Sequence, residues 1–267
     1  MEKINYSYLQ MNTSIHLLKA SDEIALQMRR KTKPVKFEDT CDYIFNLPYS
    51  KIEKSAEFVG LNLTFINLLA AVLEGTLRTF ICEVMQIDSE KIGELSIAKK
   101  DDSEYVAIVR SYAISKKYSE ETEFKGGWDN LKKQYREYFD LNLEKILDKE
   151  KTSGINAIFT LRNVAAHGTA IVTPKEKLKD ASEGEYAFKW QSKLQGLSVH
   201  VRQEFNMELL EALQHPCLSL YFTNLVKELI NSLGSHEQRP TNTRALFENF
   251  NNYKFGYRNN IKFPGVN

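Results

Sequence analysis

SKIEKSAEFVGLNLTFINLLAAVLEGTLRTFICEVMQ, residues 50–86, decides the fold class. Phe58, Leu61, Phe65, Leu68, Leu69, Val72, Leu73 and Leu77 recur at intervals that line one face of a helix with ~3.6 residues per turn. Ser50 is of a capping type, its hydroxyl able to accept from an unpaired amide of the first turn. The stretch predicts a long central helix ending near Gln86. Upstream, Leu9, Ile15, Leu18, Ile24, Ala25 and Met28 set another helix over residues 6–30, stopped before Lys33-Pro34, and residues 34–48 read as a mixed connector. Downstream, Tyr105, Val106, Ile108, Val109, Tyr112 and Ala113 favour a helix over residues 103–117, with a β-branched content that leaves a strand open. Gly126-Gly127 then breaks the chain. Trp128, Leu131, Tyr135, Tyr138 and Phe139 follow as a helical stripe carried on to about residue 148.

Thr152 or Ser153 is placed to cap the next helix, which holds Ile155, Ile158, Phe159 and Leu161 and has Gly168 as a left-handed terminator. From Glu185 the period changes to two: Tyr186, Phe188 and Trp190 alternate with polar or small residues, as do Leu197, Val199 and Val201 beyond Gln195-Gly196. That alternation predicts a β-hairpin. Helix returns over residues 207–233, interrupted near His215-Pro216, where the proline should kink it or begin a new helix. Residues 239–267 contain Pro240, Pro264 and several asparagines and read as an irregular tail. The expected fold is all-α, a helical bundle over residues 51–234 with a small inserted β-hairpin at about 185–203. A helical extension over residues 1–50 precedes it, and a basic aromatic tail over residues 235–267 follows.

A chain of 267 residues with 42% hydrophobic content can bury a substantial core. Its 36 basic and 35 acidic side chains leave a formal charge of +1, so affinity for a polyanion has to come from local clusters. Cys41, Cys82 and Cys217 are odd in number and lack metal-ligand spacing, which argues for a reducing compartment and against structural zinc. No signal-type segment opens the sequence, and Asn62, Asn67 and Glu74 interrupt its longest apolar runs. A cytoplasmic protein without a membrane span is expected. Phosphate-cradling P-loops, dinucleotide-binding glycine fingerprints, H-E-x-x-H and G-x-S-x-G are all missing, which disfavours nucleotide hydrolases and zinc proteases.

The chemistry concentrates in LRNVAAHG, residues 161–168. Histidine titrates near neutrality, and arginine keeps a planar fork of donors that matches phosphate oxygens. On a helix Asn163 and His167 share a face, whereas Arg162 and His167 sit roughly 140° apart and ~7.5 Å along the axis. Arg162 must therefore reach round the helix or act across a seam between two copies. Glu74 and Arg78 are spaced for an ordinary i, i+4 ion pair. A Glu74 turned inward would instead orient Arg162 or His167 from behind.

His200 alternates with apolar neighbours and is expected to face outward, and His215-Pro216-Cys217 has no further metal ligands nearby. Lys189, Lys193 and Arg202 are candidate phosphate contacts, against the ordinary alternative of a solvated surface. In the tail, Arg239, Arg244, Lys254, Arg258 and Lys262 outweigh Glu248 and interleave with six aromatic residues from Phe247 to Phe263. Such a mixture suits single-stranded RNA, with bases on rings and phosphates on cations. The same aromatics also suit docking on the protein itself, which is the favoured outcome.

Arg162, Asn163 and His167 with Ala166 and Gly168 resemble the R-x4-H signature of HEPN domains in its R-N-x-x-A-H form. The resemblance covers this motif and its helical context. It implies a metal-independent endoribonuclease without a cofactor, in which the 2′-hydroxyl of RNA attacks the adjacent phosphate and leaves a 2′,3′-cyclic phosphate. It also implies a homodimer whose motifs meet at a two-fold interface, used by bacteria as a toxin or antiviral effector and in some cases held by an antitoxin. Members partnered with nucleotidyltransferases place a tyrosine just beyond the histidine; here Gly168-Thr169-Ala170 follows. The competing interpretation is a non-catalytic module that dimerises and binds RNA or protein through the same helix.

Overall fold

The computed structural model describes residues 13–32, 54–99, 104–167, 171, 185–234 and 241–262; among these every regular element is a helix. Ser50, the connector over residues 34–48 and Gly168 lie outside the described residues.

α1 (Thr13–Lys31) packs along α2 (Glu57–Ala98), with Ser14 against Gly75 and Lys31 paired with Glu57. The two helices are therefore antiparallel. A Cβ at Gly75 would overlap the Ser14 hydroxyl, so glycine lets the two helices approach with that hydroxyl in place. Phe65, Leu69, Val72, Leu73 and Leu77 fill the core as their spacing requires. α2 outruns its expected end, because the periodic core face finishes at Met85 while α3 (Tyr105–Phe124) packs along the extra turns. α4 (Trp128–Phe139) stops at Asp140, whose φ of 53° is left-handed, and a single 3-10 turn at Leu143–Lys145 replaces the expected continuation to residue 148.

α5 (Lys149–Ala166) is capped by Asp148, whose carboxylate accepts from the Lys151 amide at 2.8 Å. Thr152, one of the two expected caps, lies inside the helix and its hydroxyl donates to the Glu144 carbonyl. Gly154 is pressed against Leu225 and His200, leaving no room for a Cβ.

The β-hairpin expected at 185–203 is not formed: Glu185–Phe205 is one helix, α6. Trp190, Leu194, Leu197, Val201 and Phe205 are all buried at helical intervals, whereas Val199, which the alternation pointed inward, is exposed. A continuous apolar stripe over four turns outweighs a short run of alternation. The helix also turns His200 inward: it is 1% exposed and hydrogen-bonded to the Tyr221 hydroxyl at 3.1 Å, not outward-facing as alternation predicted.

α7 (Leu209–Ala212) and α8 (Cys217–Gly234) flank the break at His215-Pro216, where buried Asn62 donates to the Leu213 and His215 carbonyls at 2.8 Å each. The tail is not irregular throughout, since Thr241–Asn252 forms α9. Phe247, Phe250, Tyr253 and Phe255 are buried in the same core as α1 and α2, Phe255 meeting Phe65 edge-on at 5.2 Å. Beyond α9, Asn259 donates to the buried carboxylate of Asp22 and Arg29 lies over the Tyr257 ring, so the segment is strapped to α1. α2 is the one described helix long and apolar enough to cross a membrane, and half of its most apolar window is buried inside the bundle.

Candidate functional site

The last turns of α5 divide by burial. Leu161 and Val164 enter the core, while Arg162 is half-buried and Asn163, Ala166 and His167 face solvent. His167 is the C-terminal cap of the helix, its amide bonded to the Asn163 carbonyl, and its imidazole has no hydrogen-bond or ion-pair partner among the described residues. An imidazole held only by its backbone is free to meet a ligand.

Arg162 is held from two sides. Its Nη2 donates to Glu74 Oε2 at 2.7 Å and its Nη1 to Asn163 Oδ1 at 3.0 Å. Glu74 is only 9% exposed, and its other oxygen accepts from the Gly127 amide at 2.8 Å and from Arg78 Nη2 at 3.1 Å. Arg78 Nη1 in turn donates to the carbonyls of Thr122 at 2.5 Å and Lys125 at 2.6 Å. One carboxylate thus ties α2, the α3–α4 link and α5 together. Both readings of Glu74 hold geometrically: it pairs with Arg78 four residues on, and it also fixes Arg162. Two guanidinium groups against one carboxylate leave the cluster with an excess positive charge. What the sequence did not reveal is the role of Gly127 and of the Thr122 and Lys125 carbonyls, since a backbone acceptor carries no side-chain signature.

The structure brings together Glu74, Arg162 and Asn163, with His167 on the same helix end, but scatters the other candidates. Lys189 pairs with Glu185, Lys193 lies over the Trp190 ring at 4.8 Å, and Arg202 pairs with Glu208. Glu204 and Glu150 line one cavity and His200 abuts Gly154, so α6 runs antiparallel to α5. That places Lys189 and Lys193 toward the His167 end and Arg202 at the far end. Arg244, Lys254 and Arg258 are exposed on the C-terminal segment. Phe247, Phe250, Tyr253 and Phe255 are packed inside and offer no stacking platform for bases, and the half-buried Tyr257 ring is covered by Arg29.

A cavity of about 260 Å³ opens at the opposite, N-terminal end of α5, lined by Asp148, Glu150, Glu204 and Glu228 with Lys151 and Tyr221. Its carboxylates would repel a phosphate. Burial lowers the pKa of His200 there and of His215 in the α7–α8 break, keeping both imidazoles neutral and inside the core. No cluster of His, Cys, Asp and Glu among the described residues could hold a metal ion. The chain matches no protein-family model, no curated protein and no solved structure.

Proposed function

We propose that this chain is a metal-independent endoribonuclease that acts as a homodimer on RNA in the cytoplasm. The observation that carries this reading is the motif end of α5, where Arg162 is steered by Glu74 and Asn163 while His167 stands in solvent. One His167 takes the proton of the 2′-hydroxyl as its oxygen attacks phosphorus. A second His167, from the other copy, gives a proton to the 5′-oxygen as the P–O5′ bond breaks. Arg162 stabilises the negative charge on the pentacoordinate phosphorus, and the products are a 2′,3′-cyclic phosphate and a 5′-hydroxyl. Two copies resolve the angular separation of Arg162 and His167 on one helix. A role as a bacterial toxin or antiviral effector, with an antitoxin or other regulatory protein as partner, rests on the motif resemblance alone.

Arg162 already has a carboxylate partner at 2.7 Å. That pairing favours a second reading, in which the cluster is structural and the helix end only binds RNA or another protein. Incubating the purified chain with total RNA in EDTA and mapping the new ends separates the two. Cyclic phosphates that disappear with His167→Ala support the nuclease. Intact RNA retained by the protein supports the binding module.

A further inference from the structure

We infer that Phe124 is a stacking platform for a base beside the cleaved phosphate, which makes the substrate RNA with unpaired nucleotides. The inference rests on the reading of the motif end of α5 as an RNA site. Arg162 and His167 address one phosphate and the oxygens next to it, and neither engages a base in that mechanism. Holding a 2′-hydroxyl in line with the breaking P–O5′ bond requires the flanking nucleotide to be fixed as well. The buried rings of the C-terminal segment cannot do this.

Phe124, the last residue of α3, is 83% exposed, the most among the large apolar side chains of the described residues. A single exposed apolar residue is ordinary on a protein surface, so position is what distinguishes this one. The flanking carbonyls of Thr122 and Lys125 accept from Arg78 Nη1 at 2.5 and 2.6 Å, and the Gly127 amide donates to Glu74 Oε1 at 2.8 Å. Glu74 Oε2 holds Arg162 at 2.7 Å. The backbone that carries the ring is therefore fastened, through hydrogen bonds to charged groups, to the cluster that holds the phosphate-binding arginine. A ring presented on a backbone already fixed gives up little entropy when a ligand stacks on it.

Beyond Lys125 the link runs through Gly126 and Gly127. A Cβ at Gly127 would meet no atom within 4 Å, and one at Gly126 would meet only Glu74 Oε1 at 3.8 Å. This stretch is bare backbone beside open space, which lets a sugar–phosphate chain come close. Two guanidinium groups against one carboxylate draw an anion toward it. A flat apolar face, an open backbone and positive charge together fit one nucleotide. A peptide or a lipid would call for a broader apolar patch, whereas Glu123, Lys125 and Gly126 around Phe124 are charged or lack a side chain and are themselves exposed. Stacking requires a base with a free face, and within an A-form duplex the neighbouring bases cover it. The site therefore takes single strands and loops and discriminates against duplex.

The test is fluorescence anisotropy of the full chain with fully 2′-O-methylated oligonucleotides, which lack the attacking hydroxyl and stay uncut. Wild type should bind the single strand more tightly than the same sequence in a duplex. Phe124→Ala should weaken the single strand by roughly ten- to a hundredfold, the worth of one stacked base, and leave duplex affinity and melting temperature unchanged. Phe124→Leu keeps an apolar side chain without a flat face and should lose about as much. Phe124→Trp should retain the affinity, with the fluorescence of the added indole quenched by the bound strand. Wild-type affinity in Phe124→Ala or Phe124→Leu, equal binding of single strand and duplex, or a wild type that binds neither overturns the proposal. So does a change of mass in Phe124→Ala by light scattering, which would put the ring in a contact between copies. The nuclease reading fails separately: if wild type leaves total RNA uncut while these affinities follow Phe124, the cleavage is lost and the platform stands.

Discussion

The two ends of α5 are built for different ends. At the N-terminus Asp148 caps the helix, Lys151 reaches Glu228 at 2.5 Å, and Gly154 is wedged against Leu225 and His200. Asp148 and Lys151 are paired there, and the acids around the helix start suit the positive pole of its dipole. At the C-terminus Arg162 is held but still 28% exposed along its side chain, and His167 stands unheld. The packed end and the open end lie about 25 Å apart along one helix of 18 residues. The carboxylates at the first end would repel a polyanion, and the proposed nuclease chemistry belongs to the second.

The largest expected effect follows from that separation. His167→Ala should lower RNA cleavage by ~10²–10⁴-fold, the usual consequence of losing an acid–base group, with no change in melting temperature. Asp148→Ala should do the opposite, lowering stability by about 1 kcal/mol through loss of the cap while cleavage per folded molecule is unchanged. Cleavage assays paired with urea unfolding check both. A His167→Ala protein that cuts like wild type would remove the chemistry from this end of the helix.

Glu74 is the place where the contrast could break, because it serves both stability and positioning. Glu74→Ala leaves two guanidinium groups facing each other. A fully buried pair broken in this way costs ~3–5 kcal/mol, and partial exposure of Arg162 reduces that to roughly 2 kcal/mol. Glu74→Gln keeps an acceptor for one donor and should recover part of the stability. If Glu74 also positions Arg162, kcat falls in both variants with little change in KM. A full kcat in Glu74→Gln would make the carboxylate purely structural.

How far the sequence could be read depended on distance along the chain. α1, α2, α4 and the break at His215-Pro216 were legible because their cause is local: apolar spacing, paired glycines, a proline. The Glu74 to Arg162 contact spans 88 positions, and nothing in either residue's neighbourhood specifies the other. α9 shows the same limit from another side. Phe247, Phe250 and Tyr253 are three apart, a helical signal masked by the prolines and asparagines around them. Their burial against α1 and α2 is set by residues more than 160 positions earlier. For α3 the spacing favoured the helix that forms, whereas it set the end of α2 near Gln86, twelve residues short of Ala98.

The packed interior should also make stability sensitive to pH. Burial lowers the pKa of His200, against the opposing pull of Glu204 and Glu150, and His215 is lowered as well, chiefly by burial and then by Lys54. The unfolded imidazoles take up protons as pH falls through about 6.5, whereas the folded ones take them up only lower. Stability is therefore complete above that pH and declines below it. Melting temperatures measured from pH 7.5 to 5.5 should fall, and His200→Gln should flatten part of the slope, with His215 accounting for a remainder. An unchanged slope in His200→Gln would mean that His200 does not titrate in this window.

The smallest effect tests the helix that carries Lys189 and Lys193 to the motif end. Gly196 lies inside α6 with open space where a Cβ would go. In a helix interior alanine is favoured over glycine by ~0.5–1 kcal/mol, both by propensity and by the smaller entropy of its unfolded chain. In the two-residue turn of a β-hairpin the same glycine would take a positive φ, and alanine would be strained. Gly196→Ala should thus raise stability by about 0.5–1 kcal/mol in urea unfolding. A decrease would restore the hairpin, break the antiparallel pairing of α6 with α5, and leave those two lysines without a reason to lie near His167.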